Sequence, residues 1–251
     1  MLKKLYQKSN VWFAVVWIIA YCVLMSAGDA LSEKIGTEKA ITLPVAILLS
    51  VLLFVFLKKN RLLKEYGLCL PKRSAGRMLY YLPVVLMLTA NLWFGVGFYC
   101  GALETVLYIL TMFGVGFLEE VIFRGLLFNA MKKDNLIAAI IVSSVTFGVG
   151  HIVNSINGSE ADLVSNLLQI VYATAAGFMF VMIYYKSQSL VICIVAHGLF
   201  NAISVFANDD LTVKQEILSC ILLTLITGGY AAYLALSGKK KENGKRNLPQ
   251  S

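Results

Sequence analysis

The stretch Gly116-Phe117-Leu118-Glu119-Glu120-Val121-Ile122-Phe123-Arg124 sets two glutamates and an arginine in the middle of an apolar block covering 103–131. Apolar residues surround these charges on both sides, so the block has no polar face to turn toward water. It also exceeds the ~20 residues needed to cross a bilayer core. Outward from it lie seven more apolar blocks, at 11–28, 41–57, 80–99, 136–154, 163–185, 190–207 and 217–236. Of the 251 residues 59% are apolar and 14% charged, with a mean hydropathy of +0.76. A soluble domain carries about 25% charged residues. The reading is an all-α polytopic membrane protein, a single transmembrane domain over 1–251 with about eight transmembrane helices and the lipid bilayer as solvent.

Charge between the blocks tests this division. The N-terminal tail is +3 from Lys3, Lys4 and Lys8, and the first loop, assigned Asp29, Glu33, Lys34, Glu38 and Lys39, is −1. A basic loop at 58–79 is +6, from Lys58, Lys59, Arg61, Lys64, Lys72, Arg73 and Arg77 against Glu65. The following segments are −1, +1, −2, +1 and −2, and a basic tail at 237–251 is +4. Positive loops stay in the cytoplasm, so the alternation predicts an even number of spans with both termini cytoplasmic. The net charge of +8 is spread over these loops and makes no patch for nucleic acid. Cys22, Cys69, Cys100, Cys193 and Cys220 show no metal or disulfide spacing. No small-x-small cleavage site follows the first block, which argues against a signal peptide. Leu62, Leu63, Tyr66, Leu68 and Leu70 interleave with the basic residues of the 58–79 loop, a pattern that suits either the anionic leaflet surface or a solvated loop. Tyr80, Tyr81, Trp93, Tyr99, Tyr184 and Tyr185 near block ends suit the interfacial belts.

A charge at the centre of a span costs at least ~2.5–3.5 kcal/mol, so buried ionisable groups need partners or a water-filled cavity. Glu120 and Arg124 are four apart with the acid first, the favourable order for an ion pair. Glu119 is rotated by about 100° from Glu120, so Arg124 cannot serve both equally. Two other blocks carry polar groups at helical spacing, Phe147 with His151 and His197 with Asn201, and these are the two histidines of the chain. At 1.5 Å per residue Glu119, His151, His197 and Asn201 all lie about 16–25 Å from the nearest cytoplasmic charge, one layer of the bundle. Gly114, Gly116, Gly148, Gly150 and Gly198 flank them and let helices approach closely.

A carboxylate and an imidazole can deprotonate a shared water, and a second imidazole with an amide can hold an oxyanion. Glu119, His151 and His197 are also a candidate zinc set by residue type, although no His-Glu-x-x-His is present. Equally, the residues could form a structural ion pair with interhelical hydrogen bonds, or a proton relay in a transporter.

In order, the Glu-Glu-x-x-x-Arg, Phe-x-x-x-His and His-x-x-x-Asn elements resemble those of the CAAX protease and bacteriocin-processing (CPBP, or ABI) family of intramembrane proteases, similar to the type II CAAX prenyl endopeptidases of eukaryotes. The resemblance covers 103–207, which it marks as the catalytic-core helices. It implies Glu119 and His151 as the water-activating pair and His197 and Asn201 as oxyanion donors. Glu120, Arg124 and Phe147 are the supporting residues. It implies a peptide or membrane-protein substrate in a bacterial plasma membrane. Zinc is left open, since the family is described both as metalloprotease and as metal-free. The alternatives are a non-catalytic immunity or scaffold protein that keeps the signature, and a proton-coupled transporter.

Overall fold

Ser9 and Gly36 bound the first long helix. The computed structural model describes residues 2–71, 81–155 and 163–237. A short helix α1 (Leu2–Lys8) leads into α2 (Asn10–Ile35), capped by Ser9 Oγ, which accepts from the Trp12 N–H at 3.2 Å. Gly36 ends α2 in the left-handed region, φ 73°, with its N–H on the Glu33 carbonyl and the Thr37 N–H on the Ser32 carbonyl. Asp29, Glu33 and Lys34 therefore belong to α2, and the first loop is shorter than their charge implied. Charge alone does not end a helix; a residue able to take positive φ does.

The chain continues through α3 (Thr42–Lys59) and the short α4 (Leu82–Leu88), extended by a 3-10 turn at Ala90–Leu92. Helix α5 (Ala102–Glu119) runs without interruption into a π-helical stretch, Glu120–Phe128, and a last turn, α6 (Asn129–Met131). Next come α7 (Leu136–Gly150) with a 3-10 turn at His151–Ser155, and α8 (Leu163–Ser187). Helix α9 (Val191–Ile203), its 3-10 extension Ser204–Phe206, and α10 (Val213–Leu236) complete the bundle. Among the described residues the only strand-like feature is an isolated bridge between Val96 and Ala207.

Six of the eight expected spans are helices long and apolar enough to cross a membrane: Asn10–Ile35, Thr42–Lys59, Ala102–Met131, Leu136–Asn154, Leu163–Ser187 and Val213–Leu236. Two are shorter apolar helices, Leu82–Leu92 and Val191–Phe206. The block at 80–99 is helical only as far as Leu92, and Gly95, at φ 114°, lies outside helical geometry just beyond it. Lys72, Arg73 and Arg77 of the basic loop, Tyr80, Glu160, Asp162 and the tail from 238 onward lie outside the described residues.

Hydrogen bonds fix which segments share an end of the bundle. At one end Tyr6 meets Tyr66 at 2.8 Å, and the Leu190 N–H and Ser189 hydroxyl reach the carbonyls of Gly67 and Cys69. At the other end the Glu38 N–H donates to Glu104, Tyr99 to Asn208, and Ser165 to Glu216. The basic residues Lys58, Lys59, Arg61 and Lys64 thus sit at the N-terminal end, and Asp29, Glu33, Glu38, Glu104 and Glu216 toward the opposite one.

Apolar side chains lie both inside and outside the bundle. Trp12, Val23, Leu48, Leu103, Ile137 and Leu225 are exposed, while Glu119, Glu120, Arg124, Ser143, Asn166 and His197 are buried within a mostly apolar core. An apolar exterior over paired polar groups is what lipid permits. Close backbone contact supports the interior: a Cβ on Gly116 would lie 2.7 Å from the Gly198 nitrogen, so α5 and α9 touch where neither carries a side chain. Gly148 meets Thr174 on α8 in the same way, whereas a Cβ on Gly150 would meet nothing within 4 Å.

Candidate active site

Widening of the helix at Glu120 sets the geometry of the site. A π-helix shifts each backbone bond to i→i+5 and leaves carbonyls short of donors. Ser143 of α7 donates to the Phe123 carbonyl at 2.9 Å, and the Asn129 amide to those of Gly125 at 2.7 Å and Arg124 at 3.4 Å. These side chains hold the stretch open in surroundings where water cannot.

Arg124 and Glu120, both fully buried, pair at 3.1 Å between Nη1 and Oε1. The guanidinium also lies over the Phe147 ring, 4.1 Å from its centroid, and 5.6 Å from that of Phe180. Aromatic faces supply negative potential to a desolvated cation, so two rings share with Glu120 the task of keeping the charge inside. Phe147 therefore acts as a floor for Arg124.

His197 lies between the two glutamates. Its Nδ1 is 2.9 Å from Glu120 Oε1 in a hydrogen bond, and its Nε2 is 3.3 Å from Glu119 Oε2, a close polar contact outside hydrogen-bond alignment. Phe180 stacks on the imidazole at 5.5 Å and 19°, and Phe147 meets it edge-on at 5.5 Å. The two rings restrict rotation of the imidazole.

Glu119 keeps its second oxygen for another helix. Tyr21 of α2 donates to Oε1 at 2.7 Å. The sequence reading missed this residue, and Phe180 as well. The available signal was a tyrosine in the middle of an apolar block, away from the interfacial belts, where its hydroxyl needs a partner.

His151 sits at the end of α7, where the helix tightens into its 3-10 turn. Its Nδ1 lies 3.1 Å from the Phe147 carbonyl, and its own carbonyl accepts from Asn166 of α8 at 2.9 Å. A hydrogen bond from Nδ1–H to that carbonyl leaves Nε2 as an acceptor. The Phe147 ring touches His151 and His197, at centroid distances of 5.2 and 5.5 Å.

Two adjoining cavities complete the site. One of about 760 Å³ is lined by Tyr21, Glu119, Phe147, His151 and Asn201 among others. Another of about 40 Å³ is bounded by Phe147, His151, His197 and Asn201. A water needs roughly 10–15 Å³ of such space, so even the small one has room for a water molecule. His151 and Asn201 border both cavities, whereas Glu119 lines only the larger and His197 only the smaller.

The candidate zinc set does not fit this arrangement. Among the described residues no three His, Cys, Asp or Glu side chains group closely enough to hold a metal. His197 instead directs its two nitrogens at Glu120 and Glu119, on opposite sides of the ring.

No curated protein and no solved structure matches the chain. Its six long apolar helices mark it as integral to the membrane. Residues 101–203, which contain all three motifs but not Tyr21, match the family model described as type II CAAX prenyl endopeptidase Rce1-like, and this match supports assigning the chain to the CPBP family of CAAX-type intramembrane proteases.

Proposed function

We propose that the protein is an intramembrane endopeptidase that hydrolyses a peptide bond of a membrane-associated peptide or protein without a covalent intermediate. The observation that carries this reading is the position of Glu119. The residue is buried, lines the larger cavity, and has one carboxylate oxygen, Oε2, free of hydrogen bonds. That oxygen lies 3.3 Å from His197 Nε2, so base and oxyanion donor stand side by side.

In this reading Glu119 Oε2 and His151 Nε2 hold a water, and Glu119 takes its proton as the oxygen attacks the scissile carbonyl carbon. His197 Nε2–H and the Asn201 amide donate to the resulting oxyanion. Collapse breaks the C–N bond, and the proton held by Glu119 passes to the leaving amine. In the same reading the bundle belongs to a bacterial plasma membrane, with eight membrane helices, the two shorter ones included, and both termini cytoplasmic; the basic residues at the N-terminal end of the bundle support that orientation.

The test uses purified protein in lipid vesicles containing a library of membrane-anchored peptides, with new termini read by mass spectrometry. Wild type generates new termini, whereas Glu119→Gln and Asn201→Ala, folded and monodisperse, do not. Equal cleavage by Glu119→Gln refutes the mechanism.

A further inference from the structure

The larger cavity does not end at the glutamate. From Glu119 its lining follows α2 past Cys22, Ser26, Asp29 and Glu33 to Gly36, Thr37, Glu38 and Lys39, where Glu33 and Gly36 are exposed. Positions 22, 26, 29 and 33 recur every three or four residues, so a single stripe of α2 forms one wall. The stripe turns from apolar to acidic as it nears the bundle end opposite the N-terminus.

Charge along the wall is unbalanced. Asp29 Oδ1 takes both the Lys39 ammonium at 2.9 Å and the Thr42 hydroxyl at 2.7 Å. Glu38 lies 3.9 Å from the same ammonium, and Glu33 is exposed. The lining thus sets the carboxylates of Asp29, Glu33, Glu38 and Glu119 against one ammonium, that of Lys39. Lys34 lies on α2 outside the lining. Just beyond the mouth, Glu104 accepts the N–H groups of Glu38 and Gly101, adding another negative group. At the inner end, Glu119 Oε2 is buried and accepts no hydrogen bond.

We infer that this cavity is the substrate entrance and that it takes a peptide segment bearing lysine or arginine, drawn in from the bundle end opposite the N-terminus. This inference rests on the endopeptidase reading and names its substrate class. A cleft of one charge sign between low-dielectric walls concentrates ligands of the other sign by about 10–10³-fold. Basic side chains engage Glu33 and Glu38 at the mouth while the scissile bond reaches Glu119. A free C-terminal carboxylate meets repulsion along the same wall, so internal segments are favoured over chain ends.

Cys22 gives a probe that needs no substrate, because it lines the cavity near Glu119. Sealed vesicles, oriented by protease access to an N-terminal tag, are treated with a trimethylammonium-ethyl or a sulfonatoethyl methanethiosulfonate. Modification is the mass shift that Cys22→Ser abolishes. The cationic reagent should modify Cys22 at least about tenfold faster than the anionic one, and only from the side away from the tag. Ser26→Cys, one turn nearer the mouth, should react faster than Cys22, and Glu33→Gln with Glu38→Gln should shrink the charge preference. Equal rates, anionic preference, entry from the tag side, or no reaction at either position overturns the proposal. Labelling requires no turnover: if it holds and nothing is cleaved, the entrance stands and the endopeptidase reading falls. If peptides are cleaved but the anionic reagent wins, the cationic substrate class falls alone.

Discussion

Tyr21 donates a 2.7 Å hydrogen bond to Oε1 of Glu119, joining α2 to the π-helical boundary of α5 across 98 residues of chain. The bond leaves Oε2, 3.3 Å from His197 Nε2, as the carboxylate oxygen without a hydrogen bond. Hydrogen bonds to charged groups contribute about 1.5–3 kcal/mol, or roughly 10–150-fold in rate if lost only from the transition state. Tyr21→Phe removes the hydroxyl and little else, so kcat should fall within that range while KM changes little. An unchanged kcat would show that Glu119 is positioned without it.

Arg124 should be a stability residue. Removing one partner of a buried ion pair costs about 3–5 kcal/mol, because the other charge stays buried. Thermal unfolding in detergent should show a large drop in Tm for Arg124→Ala, whereas isosteric Glu119→Gln stays near wild type. Similar Tm values for the two would contradict the separation of supporting and reacting groups.

The contact between Gly116 and Gly198 leaves no room for a methyl group. A Cβ on Gly116 would stand 2.7 Å from the Gly198 nitrogen and 2.8 Å from its Cα, both backbone atoms that cannot give way. Overpacking of this kind costs about 1–3 kcal/mol and would push α9, with His197, away from Glu119. Gly116→Ala should lower both Tm and cleavage. Gly229→Ala, where a Cβ meets nothing within 4 Å, serves as the matched control and should change neither.

Asn201 borders both cavities. Loss of one oxyanion donor costs about 10²–10³ in kcat. Asn201→Ala should show that loss with KM and Tm near wild type. A rise in KM alone would make Asn201 a substrate-binding residue instead.

Much of this was readable from residue spacing. The block at 103–131 became a helix over Ala102–Met131, and Glu120 found Arg124, because local periodicity decides both. The three motifs that carry the resemblance to the CPBP family lie in the segment that the family model matches. What could not be read depended on distant partners. The π stretch is held by Ser143 and Asn129, and no side-chain pattern within 120–128 encodes an i→i+5 ladder. Tyr21 looked like one more aromatic in an apolar block, since its partner lies on another helix. Asp29 and Glu33 were read as loop residues because they are charged, yet they face a cavity rather than end a helix.

The central claim is that Glu119 performs chemistry on peptide bonds, and protein termini in living cells test it most directly. Membranes from cells carrying wild type, Glu119→Gln or a deletion would be compared by mass spectrometry of N- and C-termini. The account predicts at least one cleaved species that is present with wild type and missing in both Glu119→Gln and the deletion. Identical termini in wild type and Glu119→Gln, with a deletion phenotype that Glu119→Gln fully complements, would contradict it.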